Sequence, residues 1–205
     1  MKFIGRNDTG AKYANLSLAL LLLVIPAAFA DGFAYVTNAD SNNVSAIRTS
    51  DNAVVVTVPV GMGPYGVAIT PDGSFAYVPN GSTANVSVIQ TADNLFIATI
   101  PAGPGPCGVA ITPDGTLAYV TNQTTLGTVS VIRTSDNTVI DTVAVGSFPV
   151  GIEIMPNGIL AYVATSGSDK VTVIRIADNA VIAGEEFVVT QTFANPVAIS
   201  NWRQA

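Results

Sequence analysis

The chain has 205 residues, 49% of them hydrophobic and 11% charged, with a formal net charge of −6. A chain this long and apolar buries a sizeable core, and its acidic balance argues against nucleic acid and anionic membrane surfaces as partners. It contains no histidine, and Cys107 is its single cysteine, so histidine-based triads, CxxC redox pairs and an internal disulfide are excluded.

At the N-terminus, Lys2, Arg6 and Lys12 precede an apolar run from Leu16 to Ile25. Pro26 breaks that run, and Ala28-Phe29-Ala30 places small residues where a signal peptidase reads. Residues 1–30 are therefore predicted to be a cleaved secretory signal; the run is shorter than the about 20 apolar residues of a membrane span. Cleavage removes Lys2, Arg6, Lys12 and Asp8 and moves the charge from −6 to −8. The mature chain is expected to lack a membrane span and to reside in the periplasm, outside the cell or on its surface.

Beyond residue 30 the sequence repeats. ITPDGSFAYVPN at 69–80 returns as ITPDGTLAYVTN at 111–122, and Tyr35, Tyr77, Tyr119 and Tyr162 each stand in an AYV triplet. This divides residues 31–205 into four units of approximately 31–73, 74–115, 116–158 and 159–205. In the second unit, short β-branched runs lie near Phe75–Val78, Val86–Ile89, Leu95–Ile100 and Val109–Thr112. They are separated by TPDG and TADN, which read as turns with Gly at the position needing positive φ and Asx side chains folding back on the backbone. The predicted fold is all-β, with four-stranded antiparallel sheets. Such a sheet is apolar on both faces and must stack on copies of itself, which radially gives a propeller.

The recurring GVAITPDG, AYVTN and VSVI segments, together and in fixed order over residues 31–200, resemble the YVTN family of β-propeller repeats of surface-layer and exported proteins. The resemblance implies that GVAI is the inner strand of a blade, with AYV, VSVI and the NTVI segment following outward. It also implies seven blades, where this chain supplies four units. Three arrangements stay open: a closed small ring, an eight-bladed ring from two chains, and part of a larger propeller. For the closed ring, the segment Pro196–Ser200 is expected to pair with the strand near Phe33–Thr37.

Few residues look chemical. Asp72, Asp114 and Asn157 share one turn position, and Asp51, Asp136 and Asp178 each follow an arginine by three residues, which reads as a rim ion pair. Glu153 stands where Ala68, Ala110 and Ala198 stand in the other inner strands, and a carboxylate there is costly to bury unless paired or wetted. It is the leading candidate for a functional group. Tyr65, Cys107, Val150 and Asn195 precede the inner strands and, by the geometry the resemblance implies, ring one mouth of the channel. These five are the candidate ligand- or partner-binding residues; no catalytic residue, metal ligand or cofactor is identified. The sequence thus reads as an exported, non-enzymatic scaffold binding a protein or cell-envelope ligand. The alternative is a propeller enzyme of lactonase-like or quinone-dependent dehydrogenase-like type.

Overall fold

A computed structural model of the protein describes residues 32–182 and the strand pair at 187–188. The predicted signal segment, Asn195 and the Pro196–Ser200 segment lie outside the described residues.

The described chain is all-β, as expected. Its strands run β1 (Phe33–Asn38), β2 (Asn43–Arg48), β3 (Ala53–Pro59), β4 (Ala68–Ile69), β5 (Phe75–Asn80), β6 (Asn85–Gln90), β7 (Leu95–Pro101) and β8 (Pro106–Ile111). They continue with β9 (Leu117–Asn122), β10 (Thr128–Arg133), β11 (Thr138–Ala144), β12 (Pro149–Ile154), β13 (Leu160–Thr165), β14 (Lys170–Arg175), β15 (Ala180–Val181) and β16 (Phe187–Val188). They form four antiparallel sheets in the orders β1-β2-β3, β4-β5-β6-β7, β8-β9-β10-β11 and β12-β13-β14-β15, with β16 also on β14. These are four successive blades, the first with three strands among the described residues.

The sheets are offset by one strand from the sequence units. β4 closes the first unit but pairs with β5, Ala68 opposite Tyr77, and β8 likewise pairs with β9, Ala110 opposite Tyr119. The hairpin is made by the TPDG turn. Gly73 N–H donates to Thr70 O at 2.8 Å, Gly73 takes φ +75°, and the Asp72 carboxylate accepts from Ser74 N–H at 3.0 Å. Gly115 and Gly158 repeat the conformation at φ +74° and +69°.

Packing follows burial. The middle strands β5, β6, β9 and β10 are buried along almost their whole length because both faces meet a neighbouring blade, whereas the outer strands β7 and β11 are largely exposed. Three interblade cores result. Tyr35, Val44 and Ala46 of the first blade meet Val67, Ala76, Val78 and Ile89 of the second. Tyr77, Val86 and Val88 then meet Ala118, Val120 and Ile132 of the third. Tyr119, Val129 and Val131 meet Ile152, Ile154, Ala161, Val163 and Ile174 of the fourth. Each blade thus has a trailing face toward its predecessor and a leading face toward its successor. The second and third strands of the first three blades share a register shift, at Ala46/Ile47, Val88/Ile89 and Val131/Ile132, which adds twist at the rim.

Candidate active site

The inner strands bring the blades closest together. β12 packs on β8 and β9, and β8 on β4 and β5, so the three inner strands lie side by side. Their glycines make this approach possible. A Cβ on Gly108 would stand 2.3 Å from Val150 O, and one on Gly66 would stand 2.8 Å from Cys107 O. Any larger residue at 108 collides with the backbone of the next blade.

Tyr65, Cys107 and Val150 occupy one equivalent position in three successive blades. The structure brings their backbones, rather than their side chains, into a common role. Tyr65 O accepts from Thr37 Oγ1 at 2.7 Å, Cys107 O from Gly66 N–H at 3.1 Å, and Val150 O from Thr121 Oγ1 at 2.9 Å. Each carbonyl is thereby tied to the preceding blade. The side chains diverge: Tyr65 is 47% exposed, Cys107 is 4% exposed, and Val150 is half-buried. Burial pushes the Cys107 thiol up from its ordinary range. Its sulfur sits 3.4 Å from Thr121 Oγ1 and 3.2 Å from Val150 O. A thiol held protonated in this way is a poor nucleophile.

Glu153 lies on β12, directly opposite Tyr162 of β13. Side chains alternate along a strand, and Ile152 and Ile154 point into the core shared with the third blade, so Glu153 points to the leading face of the fourth. Ala68 and Ala110, its counterparts, are 6% and 8% exposed because a following blade covers them. Glu153 is half-buried and, among the described residues, its carboxylate has no hydrogen-bond or ion-pair partner. Desolvation alone raises its pKa above the ordinary glutamate value. It is the one carboxylate on the described inner strands.

One recurring feature escaped the sequence reading. The asparagines of the outer turns, read there as turn residues only, also accept a hydrogen bond from the tyrosine of the preceding blade. Tyr35 Oη donates to Asn94 Oδ1 at 2.6 Å, Tyr77 to Asn137 at 2.7 Å and Tyr119 to Asn179 at 2.5 Å. The four-fold recurrence of both residues at a fixed offset was the available signal. The rim ion pairs form as expected, with Arg48–Asp51, Arg133–Asp136 and Arg175–Asp178 at 3.0, 2.9 and 3.0 Å. Among the described residues no three Cys, Asp or Glu side chains gather as a metal site.

Residues 33–183 match the family described as lactonase, 7-bladed beta-propeller. The chain belongs to that family. Among solved structures it resembles Kuenenia stuttgartiensis hydrazine synthase, with 29% identity and a TM-score of 0.71 over 77% of this chain and 46% of that one. Two proteins assigned as 6-phosphogluconolactonases share the fold. That from Bacteroides uniformis ATCC 8492 has 19% identity and a TM-score of 0.66, covering 77% of this chain and 52% of the other. That from Bacteroides fragilis NCTC 9343 has 20% identity and a TM-score of 0.67, with the same coverage. The chain thus spans about half the length of the structures it matches. A search of curated proteins finds no match.

Membership in the lactonase family corrects the expectation of a non-enzymatic scaffold. That expectation leaned on the missing histidine. Histidine is the commonest general base, but a carboxylate serves as well, and opening a cyclic ester needs only a base for water and a proton for the departing oxygen.

Proposed function

We propose that this chain carries the blades of a lactonase-type hydrolase acting on cyclic esters of sugar acids, with Glu153 as its general base. The observation that carries the reading is the family match over residues 33–183. The two structures assigned as 6-phosphogluconolactonases supply the substrate class. Hydrazine synthase shares the blades and performs other chemistry, so the fold does not fix the reaction.

The chemistry asked of Glu153 follows from its surroundings. Water attacks the lactone carbonyl carbon while the Glu153 carboxylate takes one of its protons. The adduct then collapses with cleavage of the acyl C–O ring bond, and the ring oxygen leaves with the proton returned by Glu153. A desolvated carboxylate is a stronger base than a solvated one, which suits it to the first step. Its side chain stands half-buried on the leading face of the fourth blade, so the substrate is taken to bind against that face, beside β12. Export to the periplasm or cell surface belongs to the same proposal. The basic N-terminal start, the apolar run and the surface-layer wording of the repeats support it.

Acid release from 6-phosphogluconolactone and from glucono-1,5-lactone, followed in a pH-stat with the full chain, tests the reading. The expected result is hydrolysis above the spontaneous rate for at least one lactone, with Glu153→Gln lowering kcat at least tenfold and leaving the fold intact. Neither lactone opening faster than in buffer would overturn the activity. Full activity in Glu153→Gln would remove Glu153 from it.

A further inference from the structure

We propose that Phe148, at the junction of the third and fourth blades, is an aromatic platform for an uncharged sugar ring. It lies five residues before Glu153, roughly 16 Å along an extended strand, so one ring does not touch both and the inference stands apart from the lactonase reading.

The segments that lead into the three inner strands read Gly63-Pro64-Tyr65-Gly66, Gly105-Pro106-Cys107-Gly108 and Phe148-Pro149-Val150-Gly151. Their first residues share a left-handed backbone, at φ +65°, +65° and +50°. Equivalent hydrogen bonds hold them there: Gly63 O accepts from Gly81 N–H at 2.9 Å, Gly105 O from Gln123 N–H at 2.8 Å and Phe148 O from Ser166 N–H at 3.0 Å. Glycine adopts this conformation freely, whereas a bulky residue ahead of a proline adopts it only against steric resistance. The fold asks for glycine at this position, and the third junction supplies phenylalanine.

Packing does not account for the exception. Phe148 enters none of the three interblade cores and is 41% exposed. The neighbouring loop makes room for it. Ser82 N–H donates to Met62 O at 3.1 Å, and Gly167 N–H donates to Ser147 O at 3.0 Å, so Gly167 holds the place of Ser82. In the second blade the Ser82 hydroxyl leans over Gly63, 2.8 Å from where a Cβ on Gly63 would stand. In the fourth, a Cβ on Gly167 would stand 2.6 Å from Phe148 Cδ2. A ring has replaced a hydroxyl, carried by the opposite loop. Backbone strain kept by an exposed residue that stabilises no core points to a use outside the fold.

The surroundings select the ligand. The loops framing the ring, residues 123–125, 146–147 and 166–168, bear no charged side chain. Thr124 O accepts from Phe148 N–H at 2.8 Å, and Ser147 Cβ leans on Gly167 beside the ring. Among the described residues the side chains of Gln123, Thr125 and Ser147 have no hydrogen-bond partner. Leu126 is 86% exposed; touching so little, it does not extend the ring into the contiguous apolar patch that a protein partner covers. A flat apolar face fringed by neutral donors and acceptors matches a pyranose. Its ring C–H groups stack on the electron-rich face of the phenyl, and its hydroxyls meet the amide and hydroxyl groups at the edge.

Saturation-transfer NMR of the full chain with methyl β-glucoside should show transfer to the sugar ring protons, with a Kd of about 1–10 mM for a single stacked ring. Phe148→Gly restores the residue of the other two junctions, and should weaken binding at least tenfold while leaving Tm unchanged or raised. Phe148→Tyr should keep the affinity within threefold, and Ser147→Ala should weaken it at least twofold with the fold intact. Cellotetraose bound at least tenfold more tightly than the glucoside would identify a glycan chain as the source, and equal affinity a free sugar; either sustains the proposal. Absence of transfer from the wild-type chain would overturn it, and dye fluorescence (ANS) dependent on Phe148 would then assign the ring to an apolar partner. Unchanged binding in Phe148→Gly would overturn it too, as would a lowered Tm, which would make Phe148 a packing residue. Glu153→Gln should leave the sugar affinity unchanged, so failure of the lactonase reading leaves this one standing.

Discussion

Gly108 and Glu153 show how much one inner-strand residue decides. At Gly108 the Cβ of any other residue would meet Val150 O at 2.3 Å, so Gly108→Ala must push the third and fourth blades apart or bend β8. The expected cost is about 1–3 kcal/mol, typical of overpacking, and it should appear as a lower midpoint in urea with little change in slope. Glu153 acts through charge instead. Its folded-state pKa is raised by desolvation, so its stabilising contribution is present below the unfolded value near 4.5 and is lost as pH rises through the folded value. At pH 7 the ionised group therefore weighs against the fold. Glu153→Gln should raise Tm at pH 7, and the gain should vanish near pH 4, where both side chains are neutral. A gain that does not change with pH would mean that desolvation of the charge is not its source.

At the scale of the strand, the blades are protected inside and exposed outside. β7 is the outer edge of its sheet and shows Leu95, Phe96 and Ile97 to solvent at 55%, 40% and 40% exposure. An apolar edge strand is a template for unwanted pairing. Phe96→Lys should leave stability within about 0.5 kcal/mol, as for other exposed positions, while suppressing aggregation measured by light scattering on concentration. The strands themselves were legible in the sequence: the runs at Phe75–Val78, Val86–Ile89 and Leu95–Ile100 lie inside β5, β6 and β7. The turns were legible because TPDG admits few conformations. The one-strand offset of the sheets was not, since a repeat has no intrinsic starting point and either cut preserves the pattern. The face on which Glu153 lies was hidden for a related reason. Alternation assigns a residue to one face or the other, but only the stacking order says which neighbour covers that face. The tyrosine to asparagine bonds span 59 or 60 residues and join separate blades, beyond the reach of local spacing rules.

The same bonds couple the blades into one unit with a distinct response to alkali. Burial first, and then nearby carboxylates, push Tyr35, Tyr77 and Tyr119 up to about 12 from an ordinary value of 10.0. The carboxylate is Asp93 for Tyr35, Asp72 for Tyr77, and Asp141 with Asp114 for Tyr119. The unfolded chain gives up these protons near pH 10, the folded chain only near pH 12. Their contribution is therefore intact below pH 10 and falls as pH rises through 12. Each tyrosine weakens the fold by about 1.4 kcal/mol per pH unit across that window, and three together by about 4. Two such units approach the whole stability of a domain, so unfolding should be complete within the window. Circular dichroism at 218 nm, titrated from pH 8 to 12.5, should show one cooperative loss of sheet, with tyrosinate absorbance rising at the same pH. Tyr119→Phe should cost about 1 kcal/mol at pH 7, from the lost bond to Asn179, and should flatten the alkaline slope by about a third. Tyrosinate absorbance rising well before the sheet is lost would show that the phenols ionise within intact blades, and the coupling between latch and stability would then be wrong.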